Sequence, residues 1–208
     1  MTHLPTATCL LLLSFGAQAQ LRVSPLAPAA VPAALTRSGR VVQALHYTDR
    51  TGTYTVLATE SGPRPDPALH LQEADQRADL YAYQYPATGL VPTWQVHDFE
   101  AECALDLEAR FLPKGLSVTD LDRDGTAEVW LVYRTTCRGD VSPSTQKIIM
   151  YEGPCKYAVR GTSRLVLGGG KYDGGTYTLD AAWQAAPAAF RQHAAQLWQQ
   201  HRDERLGN

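Results

Sequence analysis

From Arg40 onward, apolar and polar positions alternate with a period of two, the spacing of strands that bury one face. Arg40–Thr48 and Thr53–Thr59 flank Asp49-Arg50-Thr51-Gly52, a turn sequence that predicts a β-hairpin. Pro63, Pro65 and Pro67 interrupt the pattern, and Leu69–Arg77 is expected to make one or two helical turns. Strand signals return at Leu80–Tyr85, where Tyr81, Tyr83 and Tyr85 share a face, and at Thr93–Phe99. Leu105, Leu107, Ala109 and Phe111 alternate with Asp106, Glu108 and Arg110, and Pro113-Lys114-Gly115 is expected to turn the chain into a separate strand, Leu116–Thr119. Val129-Trp130-Leu131-Val132-Tyr133 is apolar on both faces and reads as a central strand; Lys147–Tyr151 and Tyr157–Gly161 follow.

The end of the chain changes period. Gly168-Gly169-Gly170 and Asp173-Gly174-Gly175 predict a flexible loop, after which Pro187 opens a helix through about Glu204. Phe190, Ala194, Leu197 and Trp198 fall at i, i+4, i+7 and i+8, an apolar stripe that should dock on a sheet. These elements predict a mainly β fold of eight or nine short strands. The sheets are expected to be antiparallel meanders, sandwich-, barrel- or propeller-like, with a C-terminal amphipathic helix.

The first residues read differently. Cys9–Phe15 is a short apolar run and Ala17-Gln18-Ala19 a small-x-small cleavage pattern, so residues 1–19 are expected to be an export signal. Residues 20–38 form an Ala/Pro-rich leader, and 39–208 a single domain with its helix at about 187–204. Export places the protein in the periplasm, at the cell surface or in the medium. There, Cys103 and Cys137 are expected to form a disulfide, because each lies just beyond a predicted strand near the acidic loop described next; Cys155 is left over.

Composition narrows the function classes. The chain has 208 residues, 44% of them hydrophobic, and 19 Lys+Arg against 21 Asp+Glu give a net charge of −2. That balance argues against a nucleic-acid binder, which needs a basic face, and no apolar run is long enough for a transmembrane helix.

The most informative stretch is Asp120-Leu121-Asp122-Arg123-Asp124-Gly125-Thr126-Ala127-Glu128. Alternate spacing lets Asp120, Asp122 and Asp124 converge on one point, and Gly125 allows the sharp turn that re-aims the backbone. Thr126 would add its carbonyl and Glu128 would close the site. These are hard oxygen donors that suit Ca²⁺ and disfavour zinc or copper. The twelfth position of an EF-hand would be Leu131, so that motif is excluded. The pattern resembles instead the calcium-binding hairpin loops of the FG-GAP/VCBS type, and that resemblance gives Asp120, Asp122, Asp124, Thr126 and Glu128 as the ligands of a structural ion. A solvated Asp-Gly turn balanced by Arg123 is the plainer alternative.

Together with that loop, Cys137-Arg138-Gly139-Asp140-Val141-Ser142-Pro143-Ser144 and Lys147–Gly153 resemble exported bacterial proteins labelled as surface polysaccharide biosynthesis proteins. The resemblance runs from Asp79–Tyr83 through Trp94 and Asp98-Phe99 to the helix holding Phe190 and Trp198, and is tightest over 117–161. It implies an envelope or glycan context and supplies no reaction. Arg138, Asp140 and Ser142 are candidates for a ligand loop adjoining the metal hairpin. The alternative is a connection that caps itself through the Asp140 and Ser142 side chains.

No nucleophile elbow or phosphate loop is present. The expectation is therefore an exported, calcium-stabilised, non-enzymatic protein that binds a glycan or an envelope protein. A hydrolase using carboxylates among Asp98, Glu100 and Glu102 is the rival, although their alternation also suits a solvated strand face. A structural accessory in surface assembly is the third reading. The tyrosines at 81, 83 and 85 could offer a sugar-stacking platform or, more ordinarily, pack in a core.

Overall fold

A computed structural model describes residues 20–66 and 75–205; the expected export signal and most of the helical turn expected after Pro67 lie outside them. The first sheet contains β1 (Arg22–Pro25), β2 (Arg40–Asp49), β3 (Gly52–Glu60), β4 (Arg64–Pro65), β5 (Gln76–Pro86) and β6 (Trp94–Cys103). Its order is β1-β2-β3-β5-β4, with β6 also paired to β5. The second sheet contains β7 (Asp106–Thr119), β8 (Glu128–Arg138), β9 (Thr145–Glu152), β10 (Cys155–Thr162) and, beyond a third sheet, β13 (Tyr177–Leu179), in the order β13-β10-β9-β8-β7. The third sheet joins β11 (Arg164–Gly168) to β12 (Lys171–Gly174) and to β14 (Asp203–Glu204), which follows helix α1 (Ala188–His201). Every strand pair is antiparallel except β11–β14.

The two larger sheets pack face to face as a sandwich and do not close into a barrel. Leu45, Val56, Leu80 and Val96 from the first meet Phe111, Val129, Leu131 and Ile149 from the second. The opposite face of β8 presents Trp130 and Val132 to Phe190, Ala194, Leu197 and Trp198 of α1. The all-apolar run at 129–133 is thus a central strand buried on both sides, and the helical stripe docks as its spacing requires. On the far side of the first sheet, Val31 and Leu35 of the leader cover Leu57, Tyr83 and Tyr85. The leader is held there by Ser38 N–H donating to Tyr83 Oη at 3.1 Å and by Tyr85 Oη–H donating to the Thr36 carbonyl.

Four local expectations are corrected. Gln76 and Arg77, the described end of the segment expected to be helical, open β5, where they pair with Pro65 and Arg64. Pro113-Lys114-Gly115 does not separate two strands. It makes a bulge inside β7, with Lys114 at φ 57° and a register shift between Phe111 and Leu116. Gln43 holds that bulge: its Nε2 donates to the Leu112 carbonyl at 2.8 Å and its Oε1 accepts from Leu116 N–H at 3.0 Å. The Gly168–Gly175 stretch is mostly a hairpin, because Gly168, Gly169 and Gly170 all adopt left-handed φ and reverse the chain between β11 and β12. The helix stops at His201, and Asp203 and Glu204 become β14, which pairs with β11 and is tied to the end of β8 by an ion pair between buried Glu204 and part-buried Arg138.

Cys103 and Cys137 are bridged, with Cα atoms 5.7 Å apart and a sequence separation of 34, and Cys155 is unpaired and exposed. The pairing matches the expectation, but its place does not. Cys137 sits opposite Leu107, near the start of β7, whereas the acidic loop joins the other ends of β7 and β8.

Candidate metal centre

The acidic loop is the tip of the β7–β8 ribbon, closed where Thr119 pairs with Glu128. Arg123 at φ 62° and Gly125 at φ 84° make the two left-handed turns that fold it back on itself. Asp122 Oδ1 accepts from Asp124 N–H at 3.2 Å, and Asp124 Oδ1 accepts from Thr126 N–H at 2.6 Å. Carboxylate oxygens of Asp120, Asp122 and Asp124 thereby lie within 4.8 Å of one another.

A second group shares Asp122. Oxygens of Asp122, Glu128 and Glu152 are also within 4.8 Å of one another. Glu128 and Glu152 face each other across β8 and β9, where like charges oppose pairing unless something neutralises them. Thr126 turns its hydroxyl to the Arg50 guanidinium, 2.9 Å away. Asp120, Asp122 and Asp124 form one end of this acidic patch and Glu128 the other, bridged by Asp122. Glu152 belongs to it as well, although sequence spacing could not find it. Only the strand register brings Glu152 beside residues more than twenty positions earlier.

Glu128 is fully buried. It accepts from Thr119 Oγ1 at 2.6 Å and from Leu121 N–H at 3.1 Å, and Thr119 in turn accepts from the Trp130 indole at 2.8 Å. Burial pushes its carboxyl up to about 7 despite those two hydrogen bonds, and Asp122 and Glu152 push the same way. Burial raises Glu152 too, reinforced by Asp122, Asp124 and Asp120. The donor set is thus all carboxylate oxygen at high negative density, and the cluster could hold a metal ion.

A second hairpin braces the loop. At the turn between β2 and β3, Asp49 Oδ1 accepts from Thr51 and Gly52 N–H, while its Oδ2 accepts from Ala127 N–H at 2.9 Å. Arg50 N–H donates to the Gly125 carbonyl at 2.9 Å, and its guanidinium lies 3.6 Å from Asp124 in an exposed ion pair. The Asp-Arg-Thr-Gly turn was legible only as a hairpin. Its grip on the acidic loop is a tertiary contact that local patterning does not encode.

The other candidate residues lie elsewhere. Arg138 donates to the Ser142 carbonyl and to Glu204 Oε1 at 2.8 Å. It therefore ties the 139–143 connection inward, a task expected of the Asp140 and Ser142 side chains; Asp140 is exposed. This connection does not adjoin the acidic hairpin. It leaves the opposite end of β8, an 11-residue strand whose ends are ~33 Å apart at ~3.3 Å per residue.

Asp98 is not on a solvated face: its carboxylate accepts from Tyr133 Oη at 2.8 Å and is paired with Lys147. Burial and the neighbouring Asp98 push the Tyr133 phenol far above its ordinary value. The tyrosines form a ladder of stacked rings. Tyr81 lies 6.1 Å from Tyr83 and 4.5 Å from His97, nearly parallel to both, and Tyr83 lies 6.0 Å from Tyr85. Beyond His97, the Phe99 ring is covered by Arg77 at 3.9 Å. Ring faces in this ladder are spent on one another, which leaves little for a sugar to stack on.

No family model matches the chain, and neither a curated protein nor a solved structure is similar to it.

Proposed function

We propose that this is an exported, non-enzymatic protein of the cell envelope whose β7–β8 tip is stabilised by Ca²⁺ and which binds a glycan or another envelope component. The observation that carries the calcium reading is the pair of carboxylate groups, Asp120–Asp122–Asp124 and Asp122–Glu128–Glu152, that share Asp122, with Glu128 buried. Such a cluster is costly as free anions and suits a hard cation bound by several oxygens. The loop aspartates, Glu128 and Glu152 would supply the side-chain oxygens. Affinity is expected at about 0.1–1 mM, in the range of extracellular modules.

Export is supported by the Cys103–Cys137 bridge, since disulfides persist in oxidising compartments. The glycan context rests on the sequence resemblance. The hydrolase reading needs a carboxylic acid free to give up its proton; Asp98 is committed to Lys147 and Tyr133, which leaves Glu100 and Glu102 to carry that reading.

Calorimetric titration of Ca²⁺ into chelator-treated protein should give saturable heat that Asp122→Ala abolishes; absence of heat from the native protein overturns the ion. A glycan array with a parallel turnover assay tests the rest. Binding without turnover is expected, whereas turnover lost in Glu100→Gln or Asp98→Asn would establish the hydrolase instead.

A further inference from the structure

Between the edge strands β1 and β7 the sandwich opens into a groove of about 800 Å³, within the ~300–1,000 Å³ typical of small-ligand sites. Its walls are apolar: Leu26, Val42 and Leu45 on one side, Phe111, Leu116 and Val118 on the other. Val42, Leu116 and Val118 are only half-buried, although they pack against the intersheet core. Two cations, Arg110 and Lys114, also line the groove. Arg110 is paired with Glu108, whereas Lys114 makes no ion pair or hydrogen bond among the described residues. The groove's one acid, Glu60, is committed to Phe111 N–H at 2.8 Å, and burial raises its carboxyl.

We propose that this groove binds a long-chain carboxylate, its alkyl tail along the apolar walls and its head at Lys114. An added peptide strand fits poorly. It would need free backbone groups on β7, and there Phe111 N–H, Leu116 N–H and the Leu112 carbonyl are already taken by Glu60 and Gln43 side chains. Pro25, Pro28 and Pro113 further reduce the donors on the rim. An aliphatic chain asks for none of them, and a single negative head complements the one uncommitted ammonium. The inference goes beyond the calcium reading and stands without it.

The test is calorimetry of the calcium-loaded and the chelated protein with octanoate, decanoate and dodecanoate, alongside the matching alcohols. One molecule should bind per chain, each added methylene should tighten binding by about two- to fourfold, and the carboxylate should bind better than its alcohol. Lys114→Glu, at an exposed position, should remove the preference for the carboxylate. Val118→Gln should weaken acids and alcohols alike by at least tenfold, with its melting curve checking that it folds. Failure of dodecanoate to bind, or an equal response of both variants and the native protein, overturns the proposal. So does a concentration-dependent dimer that Val118→Gln dissociates, which would assign the groove to a second copy of the chain.

Discussion

Strand β8 begins at Glu128 and ends at Arg138, and its two ends treat a buried carboxylate in opposite ways. At the far end Glu204 is 4% exposed. Burial alone would raise its pKa, yet hydrogen bonds from Ser163, Arg138 and Ser144 hold it at about 2. At the near end Glu128 is equally buried but has two hydrogen bonds, two acidic neighbours and no ion pair among the described residues, and it is pushed up to about 7. Burial costs are alike; what differs is the partner set, with Ser163, the Arg138 cation and Ser144 at Glu204 against two neutral donors and two acids at Glu128. With Arg138 in its set, Glu204 serves as a structural clamp for the C-terminal strand. Around Glu128 the neighbouring charges are Asp122 and Glu152, and on the calcium reading proposed above an ion from solution meets that charge.

Removing the built-in cation should have the largest effect. Arg138→Ala leaves Glu204 buried and ionised, and is expected to cost about 3–5 kcal/mol, lowering the melting temperature by roughly 10 °C with or without Ca²⁺. A loss below about 1 kcal/mol in a denaturant titration would erase the distinction between the two ends. Acid should expose the same contrast. Between pH 4.5 and 2 the unfolded chain binds a proton at Glu204 that the folded protein does not, so stability falls on acidification through this window. The contribution is about 3 kcal/mol, complete above pH ~4.5. Glu204→Gln should flatten that part of the stability–pH curve, and an unchanged slope would contradict the clamp.

At the acidic end the effects are expected to be smaller. Glu128→Gln keeps one acceptor oxygen, at the position that takes both Thr119 and Leu121, and in chelator it should cost less than about 1 kcal/mol while abolishing stabilisation by Ca²⁺. A cost comparable to that of Arg138→Ala would make Glu128 a clamp like Glu204. Arg50→Ala should have the least effect, about 0.5 kcal/mol in chelator, because its pair with Asp124 is exposed. Calcium affinity should not fall in that variant, since a competing cation beside Asp124 has been removed.

What could be read from sequence divides along similar lines. The β2–β3 hairpin, the doubly buried run at 129–133 and the α1 stripe were legible because each is marked by local periodicity or turn chemistry, whereas the Cys103–Cys137 pair was expected for a nearness to the acidic loop that the fold does not give it. The Asp120–Asp122–Asp124 convergence was legible from local spacing. Glu152, Asp49 and Arg50 were not, because their part in the acidic tip comes from strand register and from one hairpin docking on another. Asp203 and Glu204 looked like the last turn of a helix, and pairing with β11 together with the Arg138 guanidinium, both far away in sequence, makes them a strand. The bulge at Lys114 passed for a turn because Pro and Gly signal both, and only Gln43 decides between them.

The most direct measurement is thermal unfolding of chelated protein with and without 10 mM Ca²⁺, run beside Asp122→Ala. An affinity of about 0.1–1 mM predicts a rise of roughly 3–10 °C in the native protein and none in the variant. Coincident melting curves for the native protein in chelator and in Ca²⁺ would contradict a divalent ion at the β7–β8 tip.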